Sequence, residues 1–97
     1  MRFEWDEKKN EINIQKHGVD SSDAGKMFTA PMLVKSDYRR NYGETRSIGI
    51  GRVHGRIMVM VYTERKGDVI RIISLRKANK RENTKFKEAI QDRLDKN

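Results

Sequence analysis

The sequence predicts an α+β fold: a four-stranded antiparallel sheet plus a short N-terminal strand, with two helices before the sheet and one after it. Three observations carry this reading. Apolar residues in the middle of the chain alternate with a period of two, the flanks show helical spacing with capping residues, and the breaks between the middle segments are short and contain glycine.

Arg2-Phe3-Glu4-Trp5 alternates charged and apolar residues, as a short strand does. Asp6 then suits a helix N-cap, and Gly18 suits the left-handed conformation that ends a helix, so the first helix runs from about 6 to 17. Its apolar stripe is thin, chiefly Ile12 and Ile14 helped by Trp5 and Val19. Asp20-Ser21-Ser22-Asp23 offers a second capping segment, and a short helix with Ala24, Met27 and Phe28 facing inward follows before Pro31 stops it. Met32 to Lys35, Thr45 to Arg52, Arg56 to Arg65 and Val69 to Lys77 read as four strands joined by hairpins. In the third of these, Met58, Met60 and Tyr62 share one face and Ile57, Val59 and Val61 the other, which predicts a central strand. Asn79 and Glu82 stand at the N-cap and N3 positions of a capping box, and Phe86, Ala89, Ile90 and Leu94 give the last helix one apolar face.

The 97 residues suit a single domain over 1–97, and with 35% hydrophobic against 37% charged residues its core must be small. No apolar run is long enough to span a bilayer and the N-terminus lacks the apolar stretch of a secretion signal, so a cytoplasmic location is expected. The absence of cysteine excludes disulfides, thiolate metal sites and cysteine nucleophiles; with only two, widely separated histidines, no metal and no cofactor are expected. Residues 1–34 hold 5 basic and 6 acidic side chains, net −1, whereas residues 35–97 hold 17 basic and 8 acidic, net +9. Such an excess attracts phosphates, acidic protein segments or anionic membranes, and does not choose among them.

Five strings narrow the choice: Phe3-Glu4-Trp5-Asp6, Asn13-Ile14-Gln15-Lys16-His17-Gly18-Val19, Gly43-Glu44-Thr45-Arg46, Val61-Tyr62-Thr63-Glu64-Arg65 and Arg71-Ile72-Ile73-Ser74-Leu75-Arg76-Lys77-Ala78. In this order and spacing the chain resembles the BrnT family of type II toxins. It departs from the family's usual residues at Ala30, before Pro31, and at Leu75. The resemblance implies a RelE-like fold with a curved antiparallel sheet whose open face receives RNA. It also implies metal-independent RNA cleavage that inhibits translation and growth, and a BrnA-like ribbon-helix-helix antitoxin, in a heterotetramer, that neutralises the toxin and alone carries the contact with operator DNA.

Metal-free cleavage needs a base for the 2′-hydroxyl proton, cations for the phosphorane oxygens and an acid for the leaving 5′-oxygen. Arg46 and Arg76 lead as phosphate ligands, because a guanidinium meets two phosphate oxygens and stays charged; the competing reading of each is an exposed sheet arginine. Glu64 is a candidate base or arginine partner, and Ser74 a hydrogen-bond donor to phosphate. Tyr62 offers a hydroxyl for the phosphate or a stacking ring for a base. His17 suits proton transfer, yet its place before Gly18 also suits a cationic cap on the helix carbonyls. Lys16, Arg71 and Lys77 complete the expected RNA contacts; by plain alternation Arg71 shares a face with Ile73 and Leu75, opposite Ser74 and Arg76, where its competing role is to brace helices or bind the antitoxin. The competing function is a non-catalytic basic module that holds nucleic acid or protein, for which no helix-turn-helix, zinc-finger or RNA-recognition signature is present.

Overall fold

A strand that is apolar on both faces must be covered on both, and this chain supplies the covers from its two flanks. The computed structural model describes residues 1–95. In chain order the elements are β1 (Arg2–Glu4), α1 (Glu7–His17), a 3₁₀ helix (Ser21–Thr29), β2 (Leu33–Ser36), β3 (Ser47–Val53), β4 (Arg56–Arg65), β5 (Val69–Lys77) and α2 (Lys80–Asp95). The strands form one sheet in the order β1-β5-β4-β3-β2, which makes β4 central as expected.

The sheet is five-stranded and mixed, a correction to the expected four antiparallel strands with a separate N-terminal one. β1 pairs in parallel with β5, Phe3 opposite Ile70, whereas the other pairs are antiparallel. The turn chemistry that fixes hairpin direction has no hold on β1, because the long connection from β1 to β5 leaves the strand's direction free. A second correction concerns β5. Ser74 lies opposite Val61 but Ile72 lies opposite Tyr62, so Ile73 is the extra residue of a bulge. The bulge resets alternation and places Arg71, opposite Thr63, on the same face as Ser74 and Arg76 rather than the opposite one.

One sheet face packs Met58, Met60, Tyr62, Ile70, Ile72 and Leu75 beneath Val19, Ala24 and Met27. The second helix is 3₁₀ rather than α, and its buried residues Ser21, Ala24 and Met27 recur every third position, the period of that helix. Gly25 permits the close approach: a Cβ there would lie 2.9 Å from the Phe3 ring. The caps form as read. Asp6 accepts from Lys8 N at 2.9 Å and Lys9 N at 3.2 Å, and Gly18 adopts φ +67°.

α1 is held differently from the expectation. Ile12 and Ile14 are exposed, and the helix's buried residue is Asn10. Its amide donates to Asp20 Oδ1 at 2.9 Å and its carbonyl oxygen accepts from Ser21 N at 2.8 Å, so a polar clasp replaces the apolar stripe. α2 covers the other face with Phe86, 2% exposed, while Leu94 is exposed. By Arg93 the helix has reached the sheet edge, where that side chain donates to the Met32 carbonyl at 3.4 Å, and beyond this there is no sheet for Leu94 to cover. The capping box is present: Glu82 N donates to Asn79 Oδ1 and Asn79 N donates to Glu82 Oε1, both at 2.8 Å.

These anchors can be tested by substitution. Asn10→Ala leaves the buried Ser21 N–H without its acceptor and should destabilise the protein by about 1–3 kcal/mol in denaturant unfolding; a loss within about 0.5 kcal/mol would show that the clasp does not hold α1. The Arg76 guanidinium, opposed by partial burial, holds the Glu82 carboxyl down to about 2 from its ordinary 4.5. A depressed carboxylate stabilises the fold above its unfolded value, and that contribution is lost as pH falls from about 4.5 toward 2. Allowing for solvent screening, wild type should lose about 1 kcal/mol more than Glu82→Gln between about pH 6 and pH 3, and equal losses would contradict this.

Candidate functional site

The end of α1 and the end of β5 meet at one corner of the sheet. Gly18 closes α1, its N–H bonding to the Ile14 carbonyl at 2.8 Å, and leaves the His17 carbonyl open. Arg56, the first residue of β4, donates to that carbonyl through Nη1. Its guanidinium lies where a Cβ on Gly18 would come within 3.3 Å. The capping function considered for His17 is thus taken by Arg56, which frees the imidazole.

That imidazole lies among cations. Burial pushes the His17 pKa below its ordinary 6.5, and the charges of Lys77, Lys16 and Arg76 push it the same way. At neutral pH the ring is therefore uncharged and able to accept a proton. Arg76 is half exposed and held by a fork: Nη1 and Nη2 each donate to a Glu82 oxygen at 2.8 Å, and Nη1 also reaches the Lys77 carbonyl at 3.2 Å. Its Nε–H and the outer Nη2 hydrogen have no partner among the described residues. That edge can take two oxygens of a phosphate while the fork stays fixed.

Lys16, His17, Arg76 and Lys77 therefore come together, and Ser74 lies exposed two residues along the Arg76 face. The other expected site residues do not join them. Glu64 pairs with Ile70, six residues from Arg76 along β5, or about 20 Å at the usual rise of a strand. It lines a hollow with Glu44, Thr45, Ser47 and Thr63, where two carboxylates face a visiting phosphate. Arg46 precedes β3 instead of entering it, donates to Glu44 at 3.1 Å and stacks 4.0 Å from the Tyr42 ring centroid. This loop is built on buried Asp37, whose carboxylate accepts two bonds from the Arg39 guanidinium, one from the Arg39 backbone N–H and one from the Tyr42 hydroxyl. Arg39 holds Asp37 well below the ordinary carboxylate range. Tyr62 is 4% exposed with its ring edge-on to Phe28, so it packs the core and offers no stacking surface to a base. Arg71 is half-buried near Asp6 at the same far end.

Beside the corner lies a cleft of about 350 Å³ lined by Arg52, Arg56, Ile57, Lys77, Asn83 and Lys87. Sequence reading passed over Arg52, Arg56 and Lys87; the two arginines flank the turn that holds His54. His54 itself pairs with Asp23 at 3.2 Å. The available signal was the hairpin register, which pairs Arg52 with Ile57 and Val53 with Arg56 and so brings both arginines to one sheet end. Among the described residues no group of three His, Asp or Glu side chains is placed to hold a metal ion, and no helix is long and apolar enough to cross a membrane.

The architecture is similar to that of the Brucella abortus ribonuclease toxin BrnT, solved at 1.1 Å. The two are 28% identical with a TM-score of 0.60, and the match covers 82% of this chain and 99% of that one. No curated protein matches the sequence. The family profile of the ribonuclease toxin BrnT, of type II toxin-antitoxin systems, matches residues 5–82. That span runs from Trp5 through every residue of the His17–Arg76 corner to Glu82, and this protein belongs to the BrnT family of ribonuclease toxins.

Proposed function

We propose that this BrnT protein is a metal-independent endoribonuclease whose reaction centre is the corner formed by His17, Arg76, Lys16 and Lys77. The observation that carries the proposal is an imidazole kept neutral by burial and by three cations, beside an arginine with one free edge. His17 takes the proton of the ribose 2′-hydroxyl, whose oxygen attacks the adjacent phosphorus. The free edge of Arg76 meets the negative charge that grows on the phosphorane oxygens, with Ser74 as an additional donor. The bond to the 5′-oxygen breaks as Lys16 or Lys77 supplies its proton, leaving a 2′,3′-cyclic phosphate and a 5′-hydroxyl. Arg46, Arg71 and Glu64, at the far end of the sheet, lie outside this centre.

A type II toxin is paired with an antitoxin. We infer that the partner here is a BrnA-like ribbon-helix-helix protein that joins two toxin chains in a heterotetramer, blocks growth inhibition and makes the operator contact. The excess of +9 over residues 35–97 favours a partner with acidic segments.

Arg76→Ala should slow cleavage of purified RNA by about 10²- to 10³-fold. It should change stability by no more than about 1 kcal/mol, since its ion pair is half exposed. It should also still co-purify with the product of the adjacent antitoxin gene. Arg76→Lys keeps the charge without the two-pronged edge and should recover only part of the rate. Wild-type rates in Arg76→Ala would remove this residue from the centre, and failure of both proteins to bind the neighbouring gene product would remove the antitoxin reading.

A further inference from the structure

We propose that the cleft between the β3–β4 hairpin and α2 is a second phosphate subsite, which holds the RNA backbone next to the phosphate being cleaved. This rests on the ribonuclease reading and deepens it. Among the described residues four cations, Arg52, Arg56, Lys77 and Lys87, line the cleft, and no Asp or Glu does. Four positive charges facing one space repel each other unless an anion lies between them, so the cleft is complementary to phosphate. Two of the cations are already fixed. Arg56 is held on the His17 carbonyl, and Arg52 lies 5.5 Å from the Phe86 ring centroid. Fixed donors lose little freedom on binding, while the exposed Lys87 side chain closes over what they hold.

Continuity identifies the ligand as a nucleic-acid strand rather than an acidic peptide. Lys77 belongs both to the cleft and to the group of charges around His17, and Arg56 links the same two places through the His17 carbonyl. A strand with one phosphate at Arg76 has its next phosphate drawn toward this cleft, because the other end of the sheet presents Glu44 and Glu64. One wall, Asn83 and Lys87, comes from the part of α2 that follows the segment matched by the family profile.

The test is binding of a short 2′-O-methyl oligoribonucleotide, which cannot be cleaved through its 2′-oxygen, measured by fluorescence anisotropy over a range of salt. With a single-stranded ligand, removing one cation that neutralises a phosphate lowers the slope of log K against log salt by about 0.7. Lys87→Ala should show that reduction and Lys87→Glu a larger one, with unchanged melting temperatures because Lys87 is exposed. Lys66→Ala, in the β4–β5 turn at the opposite end, is the comparison and should keep the wild-type slope. Slopes for the Lys87 variants equal to that of Lys66→Ala, or no binding by wild type, would overturn the subsite. Cleavage of the unmodified strand is scored separately, and a wild type that binds with the predicted Lys87 dependence but cuts nothing overturns the ribonuclease reading instead.

Discussion

Seven consecutive residues of β4, Ile57 to Thr63, are buried, and the molecule is arranged around that fact. Burying both faces of one strand needs a layer above and a layer below it, and a chain with 35% hydrophobic residues has little else to build with. The 3₁₀ helix and the start of the chain cover the Met58-Met60-Tyr62 face, and α2 covers the Ile57-Val59-Val61 face. What remains for charge is the rim of the sheet. Apolar area of the kind buried on β4 contributes about 25 cal/mol per Å², far more than the exposed ion pairs at the rim. The core therefore sets where the rim cations stand.

The two ends of the rim differ in electrostatics. At one end Glu44 joins Arg46 and Arg65, and Glu64 faces the same hollow, so positive charge is largely answered within the protein. At the other end Glu82 answers Arg76, while among the described residues no carboxylate enters the interactions that place Lys16, Lys77, Arg52, Arg56 and Lys87. The net charge of +8 is thus less informative than its local balance. A phosphate chain is favoured where cations converge without compensation, and it is at that end that the neutral imidazole lies.

Much of the fold was legible because its signals are local. The caps at Asp6, Gly18 and Asn79, the limits of β4 and β5, and the central place of β4 depend on side chains within a few residues of one another. What escaped depends on distant partners. The parallel pairing of β1 depends on β5, more than sixty residues later, and the docking of α1 depends on one Asn10 amide rather than on its isoleucines. The site was legible in part for the same reason. Lys16 with His17 and Arg76 with Lys77 could be read as two strings, but only the tertiary fold joins them. Alternation misplaced Arg71 because one bulge at Ile73 inverts every position before it. Tyr62 fits the polar pattern of a site but lies on the core face of a strand that has no solvent face.

The central assignment is His17 as the group that takes the 2′-hydroxyl proton, and the pH dependence of single-turnover RNA cleavage tests it most directly. For wild type the rate should rise with pH through a pKa below the ordinary imidazole value of about 6.5 and then level off, because burial and the neighbouring cations favour the neutral ring. His17→Asn keeps a polar side chain at the helix end and should cut about 10²- to 10⁴-fold more slowly, with that rising limb gone. The same limb at an undiminished rate in His17→Asn would contradict the assignment.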